Sequence, residues 1–146
     1  MKSVQKALKR RADGEKGFTL IELLVVVIIL GILAAIAVPI YLNQRRSAWN
    51  ATTESDVKNA SLVVESAASA AGGDYSSITF PTSCTSAAAC TLTAGGESYT
   101  VTVSKNVTLT FPTHTKDGYT IHGENSSATD LKKFTYDSAT GKVSRS

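Results

Sequence analysis

Apolar side chains run almost without interruption through the first third of the chain. From Phe18 to Val38, 21 residues, the only ionisable side chain is Glu22. About 20 apolar residues in a helix span the hydrocarbon core of a bilayer, so the pattern predicts a membrane-type helix. Beyond Pro39 the apolar positions thin out and become periodic. Trp49, Thr53, Val57, Ala60, Val64, Ala67 and Ala71 recur at three- and four-residue spacing, which lays one mostly apolar stripe along a helix. Asn50, Glu54, Asp56, Lys58, Asn59 and Glu65 occupy other positions. "AGGD" (Ala71 to Asp74) then stops the pattern with two glycines. One helix from Phe18 to about Ala71 would be ~80 Å long at 1.5 Å per residue. Its first half suits lipid or another apolar core, and its second half suits the spine of a soluble head.

From Tyr75 onward the period becomes two. "SYTVTV" puts Tyr99, Val101 and Val103 on one face of a strand, and "NVTLTF" repeats the alternation with Val107, Leu109 and Phe111. A hairpin turning at Ser104 to Asn106 is the expected connection. "GYTIHG" offers Tyr119 and Ile121, and "KKFTYD" offers Phe134 and Tyr136. "DSATGK" reads as a turn before a short last strand around Val143. The predicted fold class is α+β: a long N-terminal helix packed on a four- to five-stranded antiparallel sheet. No internal repeat is evident.

Length and charge sharpen this picture. A chain of 146 residues has material for one ordinary domain with a modest core. The formal charge of +3 is unevenly placed. Residues 1–17 hold six bases (Lys2, Lys6, Lys9, Arg10, Arg11, Lys16) against two acids (Asp13, Glu15) and carry +4. The remainder has nine bases against ten acids and carries −1. Basic residues beside a membrane-type segment keep that end cytoplasmic. The rest of the chain gives no electrostatic reason to expect nucleic acid as a main partner.

Glu22 is the residue the apolar pattern does not explain. An isolated carboxylate in hydrocarbon costs several kcal/mol, and such residues are rare unless paired or functional. A secretory signal peptide would have a shorter apolar core, of about 7–15 residues, and a small-x-small cleavage site after it. "PIYLNQRRSAWN" follows here instead. A plain single-span anchor accounts for the length but leaves Glu22 without a reason. Cleavage between Gly17 and Phe18 supplies one. It would free an α-amine one helical turn from Glu22, on the same helix face. Ammonium and carboxylate could then neutralise each other, within one chain or between neighbouring chains. Gly17 suits such a cut, since a residue without a side chain lets a protease approach the backbone closely.

These residues carry a resemblance. "KGFTLIELLVVVIILGILAAIAVP" resembles the N-terminal signature of type IV pilins and pseudopilins of the short-leader class. It combines a basic leader, Gly17 before the cut, Phe18 after it, Glu22 as the fifth mature residue, and an apolar helix ending near Pro39. The resemblance covers about residues 14–50. It implies that an inner-membrane prepilin peptidase cuts after Gly17 and N-methylates Phe18. It also implies a subunit pool in the bacterial inner membrane, a pilus assembly platform with its ATPase machinery, and a homopolymeric filament outside the cell. In that filament the apolar helices bundle, and Glu22 pairs with the Phe18 amine of a neighbour. On this reading 1–17 is a removed leader, 18–39 the membrane or filament-core helix, 40–72 its amphipathic second half, 73–97 a connecting loop with a disulfide, and 98–146 the sheet.

Gly31 and Pro39 weaken the long helix in its middle, because proline removes the donor that would bond the Ala35 carbonyl. The resemblance implies that the stretch between them can melt in an assembled filament. The alternative is that both are merely tolerated in a membrane helix.

Cys84 and Cys90 bracket "TSAAA". Two cysteines with no nearby histidine do not complete a zinc site. In an exported domain a disulfide is the simpler reading, pinning the link between helix and sheet. Many pilins resemble one another in a disulfide-bounded loop near the C-terminus, whereas this chain ends "KVSRS" without a cysteine. A role assigned to that loop elsewhere does not carry over.

Catalytic candidates are thin. His114 falls in the turn "FPTHTKDG", and His122 alternates with Ile121 and so faces solvent. No nucleophile, phosphate loop, metal spacing or paired-carboxylate motif accompanies them, so neither an enzyme nor a cofactor is expected. Three readings follow: a pilin serving adhesion, motility or DNA uptake; a pseudopilin of type II secretion or competence; and an anchored binding domain or enzyme. Gly17, Phe18 and Glu22 argue against the third. The absence of an acidic cluster of the calcium-binding kind leans toward the first.

Overall fold

Residues 19–146 are described by a computed structural model. The leader, Gly17 and Phe18 lie outside the described residues. Helix α1 runs from Leu20 to Ala70. The chain divides into two units, Met1–Asn43 and Gln44–Ser146. In the first, every side chain from Thr19 to Asn43 is exposed. The helix there is held by its own backbone bonds and has no core to pack on. It is long and apolar enough to cross a membrane, and none of its apolar stretch is buried. Pro39 lies inside α1.

The second unit owes its core to the stripe. Thr53, Val57, Ala60, Val64 and Ala67 of α1 are all fully buried. Asp56, Ser61 and Ala68 are buried beside them, because they too fall at three- and four-residue steps from the stripe. α1 ends with the Gly73 N–H bonded back to the Ala68 carbonyl, 2.7 Å, which satisfies one of the last free carbonyls of the helix.

Four strands form the main antiparallel sheet in the order β3-β4-β5-β6: β3 (Val107–His114), β4 (Tyr119–Asn125), β5 (Phe134–Asp137) and β6 (Lys142–Arg145). Val107, Leu109, Phe111, Tyr119, Ile121 and Phe134 are buried, so alternation along each strand delivers the apolar face that meets the helix. β4 runs opposite to α1. The Tyr119 hydroxyl reaches the Ser61 carbonyl, Gly123 sits under Thr53 and Val57, and Asn125 Nδ2 donates to the Trp49 carbonyl, 3.4 Å.

One expected pairing is corrected. The strand containing Tyr99 and Val101 does not form a hairpin with the one containing Val107. It is β2 (Glu97–Val101), and it pairs with β1 (Cys90–Ala94) in a separate two-stranded sheet, with Ala94 opposite Glu97. The turn is Gly95-Gly96, both at positive φ, +60° and +82°, the conformation that a two-residue hairpin demands and glycine supplies at no steric cost. β1 therefore lies within 73–97, where a connecting loop was expected. Ser104 to Asn106 is still a bend, but it joins two sheets.

Cys84 and Cys90 are disulfide-bonded, with Cα atoms 5.1 Å apart. Cys84 exchanges both backbone hydrogen bonds with Leu109 of β3, at 2.8 and 2.9 Å. Cys90 opens β1. The bond thus ties the small sheet to the edge of the main one, rather than the helix to the sheet.

Candidate functional site

At the start of α1 the chain makes a reciprocal cap. The Glu22 N–H donates to Thr19 Oγ1, 3.1 Å, and the Thr19 N–H donates to Glu22 Oε2, 3.2 Å. Thr19 is thus the N-cap and Glu22 the third helical residue, so two donors that have no partner inside the helix are satisfied together. The carboxylate also sits against the positive end of the helix dipole. The signal for this was in the sequence, as T-x-x-E directly before the apolar run, and reading Glu22 only as a buried charge missed it. Among the described residues, Glu22 Oε1 makes no hydrogen bond. Phe18, the expected partner, lies outside them.

Beyond the cap, Leu23, Leu24 and Val27 project from the helix, each about half exposed or more. Such a continuous apolar surface needs lipid or protein around it. A Cβ placed on Gly31 would meet nothing within 4 Å, and α1 passes through Gly31 and Pro39 without ending.

The family model for the prokaryotic N-terminal methylation motif matches residues 13–38. The chain carries the motif characteristic of type IV pilin and pseudopilin precursors. Its long helix on a multi-stranded antiparallel sheet has the general pilin architecture. No solved structure matches the chain. The matched stretch ends at Val38, so the head that follows is read from its own residues.

In that head, polar groups cluster along α1. Asp56 accepts from the Ser104 N–H at 2.7 Å and from Ser104 Oγ at 2.9 Å, across 48 residues of sequence. Counting Asp56 as a residue off the stripe hid this role, although it stands three after Thr53 and four before Ala60. Glu65 accepts from the hydroxyls of Tyr75 and Tyr119. The Tyr119 ring lies 4.9 Å from that of Tyr75 and 5.7 Å from that of Tyr136. Burial holds the Tyr119 hydroxyl far above its usual ionisation range, and the Glu65 carboxylate adds to the effect. Tyr75 is raised for the same two reasons.

His114 and His122 are both exposed, but His114 is not in the expected turn: it is the last residue of β3, opposite Tyr119. His114 stacks on Phe80 with ring centroids 4.7 Å apart. Among the described residues, no three His, Cys, Asp or Glu side chains are grouped to hold a metal ion. The motif and the architecture together support a pilin-like or pseudopilin-like structural subunit.

Proposed function

We propose that this chain is the pilin subunit of a type IV pilus. It is cut after Gly17, N-methylated on Phe18, held in the inner membrane by residues 18–39, and then assembled outside the cell for adhesion, motility or DNA uptake. Assembly is driven by bundling of the apolar helices. Glu22 selects the axial position of an incoming subunit by pairing with the Phe18 amine of its neighbour. The observation that carries this reading is the methylation motif at residues 13–38, which takes in most of a wholly exposed apolar helical stretch. The cap supports the pairing role in a second way: Thr19 occupies one carboxylate oxygen of Glu22 and leaves the other to accept an ammonium. Gly31 and Pro39 allow the intervening helix to melt once the helices are packed together. The prepilin peptidase and a platform with its ATPase are the partners this cycle requires.

Glu22→Gln tests the pairing against simple capping. Glutamine serves at the third position of a capping box as well as glutamate does, so the cap survives while the charge is lost. Processed monomer should accumulate at normal levels, with sheared filaments scarce or absent, because each docking would strand an ammonium in an apolar core. Glu22→Asp should assemble poorly and Leu24→Ile normally. Wild-type filament yield from Glu22→Gln would sink the pairing. Mass spectrometry of the mature chain should find methylated Phe18 first, and an N-terminus beyond Pro39 would sink the processing.

A further inference from the structure

The β1–β2 hairpin leaves one side open. Across its two-residue turn Ala94 and Glu97 exchange backbone bonds, and in an antiparallel pair such exchanges recur at every second residue. Leu92 with Tyr99 and Cys90 with Val101 are the next bonded pairs. Thr91, Thr93, Ser98 and Thr100 therefore turn their N–H and C=O groups away from the hairpin. Thr93 fixes this phase, because it exchanges bonds with Thr79 on the outer side of β1, at 2.9 and 3.2 Å. Ser98 and Thr100 stand in the same way on β2, and both are exposed. Among the described residues, their outward backbone groups meet no partner.

A strand edge with free donors and acceptors is a template for another strand, and folded chains blunt it with bases, proline, a bulge or a covering segment. The other edges show such devices. β3 contains Pro112 and a register shift between Thr110 and Thr113, and its Leu109 is already bonded to Cys84. β6 carries Lys142 and Arg145, both exposed. β2 has no proline, base or register shift, and its one charge, Glu97, stands at its first position.

This edge fits itself. Where two β2 strands meet antiparallel about Tyr99, Ser98 of each lies opposite Thr100 of the other, and every free group on both edges gains a bond. The faces agree as well: Tyr99 meets Tyr99, and Glu97 meets Val101. The two glutamates then lie four residues apart along the strands, ~14 Å at 3.4 Å per residue, beyond a Debye length at physiological salt. The β6 edge is a poorer match. Lys133 exchanges bonds with Ser146, at 3.0 Å each way, so Val143 and Arg145 present the free groups of β6. Val143 packs against the core, whereas Ser98 and Thr100 lie on the face opposite the buried Val101, and pairing would set an outer face against an inner one.

We propose that β2 is a pairing edge through which the heads of two copies of this chain join, antiparallel, into one sheet in the order β1-β2-β2-β1. A contact of this symmetry joins two copies and stops, whereas a filament needs contacts that propagate. It therefore goes beyond the polymer contacts proposed above and belongs to the unassembled chain.

The test uses the full chain in detergent, so it needs neither cleavage at Gly17 nor filaments, and its failure leaves the pilus reading untouched. In the wild type, amide exchange at Ser98 and Thr100 should slow about tenfold as the chain is concentrated, as for amides entering a ladder. The outward N–H of Thr91 should not change. Under mild oxidation Tyr99→Cys should give about tenfold more disulfide-linked dimer than Glu97→Cys, because only the central position brings Cα atoms within disulfide reach, about 4.5 Å. Adding Ser98→Lys/Thr100→Lys sets like charges directly opposite each other at exposed positions and should lower the Tyr99→Cys yield to the Glu97→Cys level. Exchange at Ser98 and Thr100 that ignores concentration shows that no second copy fills the edge, and overturns the proposal. Equal linking from Tyr99→Cys and Glu97→Cys overturns the antiparallel pairing. Dimer that survives the lysine substitutions places the contact elsewhere on the chain and overturns the assignment to β2.

Discussion

The Tyr119 hydroxyl stands 2.9 Å from Glu65 Oε1 and 3.2 Å from the Ser61 carbonyl, two positions one turn apart on α1. Its ring is buried between sheet and helix, so a β4 side chain reads the register of the helix directly. Because burial and the Glu65 charge hold its proton in the folded state, Tyr119 gives the head a defined alkaline limit. Its contribution is complete below about pH 10, where an unfolded tyrosine is also protonated. Above that value the unfolded chain releases a proton that the folded chain keeps, and stability falls as pH rises. Tyr119→Phe should cost about 1 kcal/mol at neutral pH and flatten the decline above pH 10, as measured by urea unfolding between pH 8 and 11.

Gly123 lets the sheet approach the helix closely. A Cβ there would overlap Val57 Cγ2 and crowd Thr53 Cγ2 at 3.2 Å. Gly123→Ala should therefore destabilise the head by about 1–3 kcal/mol through overpacking. The double variant with Val57→Ala should recover part of that loss, and denaturant midpoints of the four forms measure the coupling.

Asp56→Ala removes both acceptors of Ser104 and leaves a partly buried N–H without a partner. A loss of about 1.5–3 kcal/mol is expected, in the range for hydrogen bonds to charged groups. Ser104→Ala keeps the backbone bond and should cost less than half as much. Amide hydrogen exchange should show the Ser104 N–H as the site that loses protection in Asp56→Ala.

Cleaving the Cys84–Cys90 bond removes a closure of seven residues, for which about 2 kcal/mol is expected. The effect should be local. Cys84→Ser/Cys90→Ser should loosen the β1–β2 sheet and the Cys84–Leu109 bridge in hydrogen exchange, while β4 and β5 keep their protection. Peptide mapping without reductant should recover the two cysteines linked in the wild type.

The sequence by itself determined what depends on neighbours along the chain. The apolar run, the helical stripe from Thr53 to Ala67, the alternation of β3 to β5, the turn before β6 and the exposure of His122 follow from local period and turn chemistry. The N-terminal methylation motif was legible for the same reason, since its residues stand close together along the chain. Thr19 was equally legible as a cap and was overlooked. Tertiary structure decided which strand pairs with which. Val101 and Val107 carry the same alternating pattern, and nothing in that pattern distinguishes a hairpin between them from the Gly95-Gly96 hairpin that forms. It also decided that Asp56 lies inside, since a carboxylate on the flank of a stripe is tolerable only if something distant arrives to bond it. Ser104 does so from 48 residues away, and a contact of that range exists only once the sheet has closed on the helix.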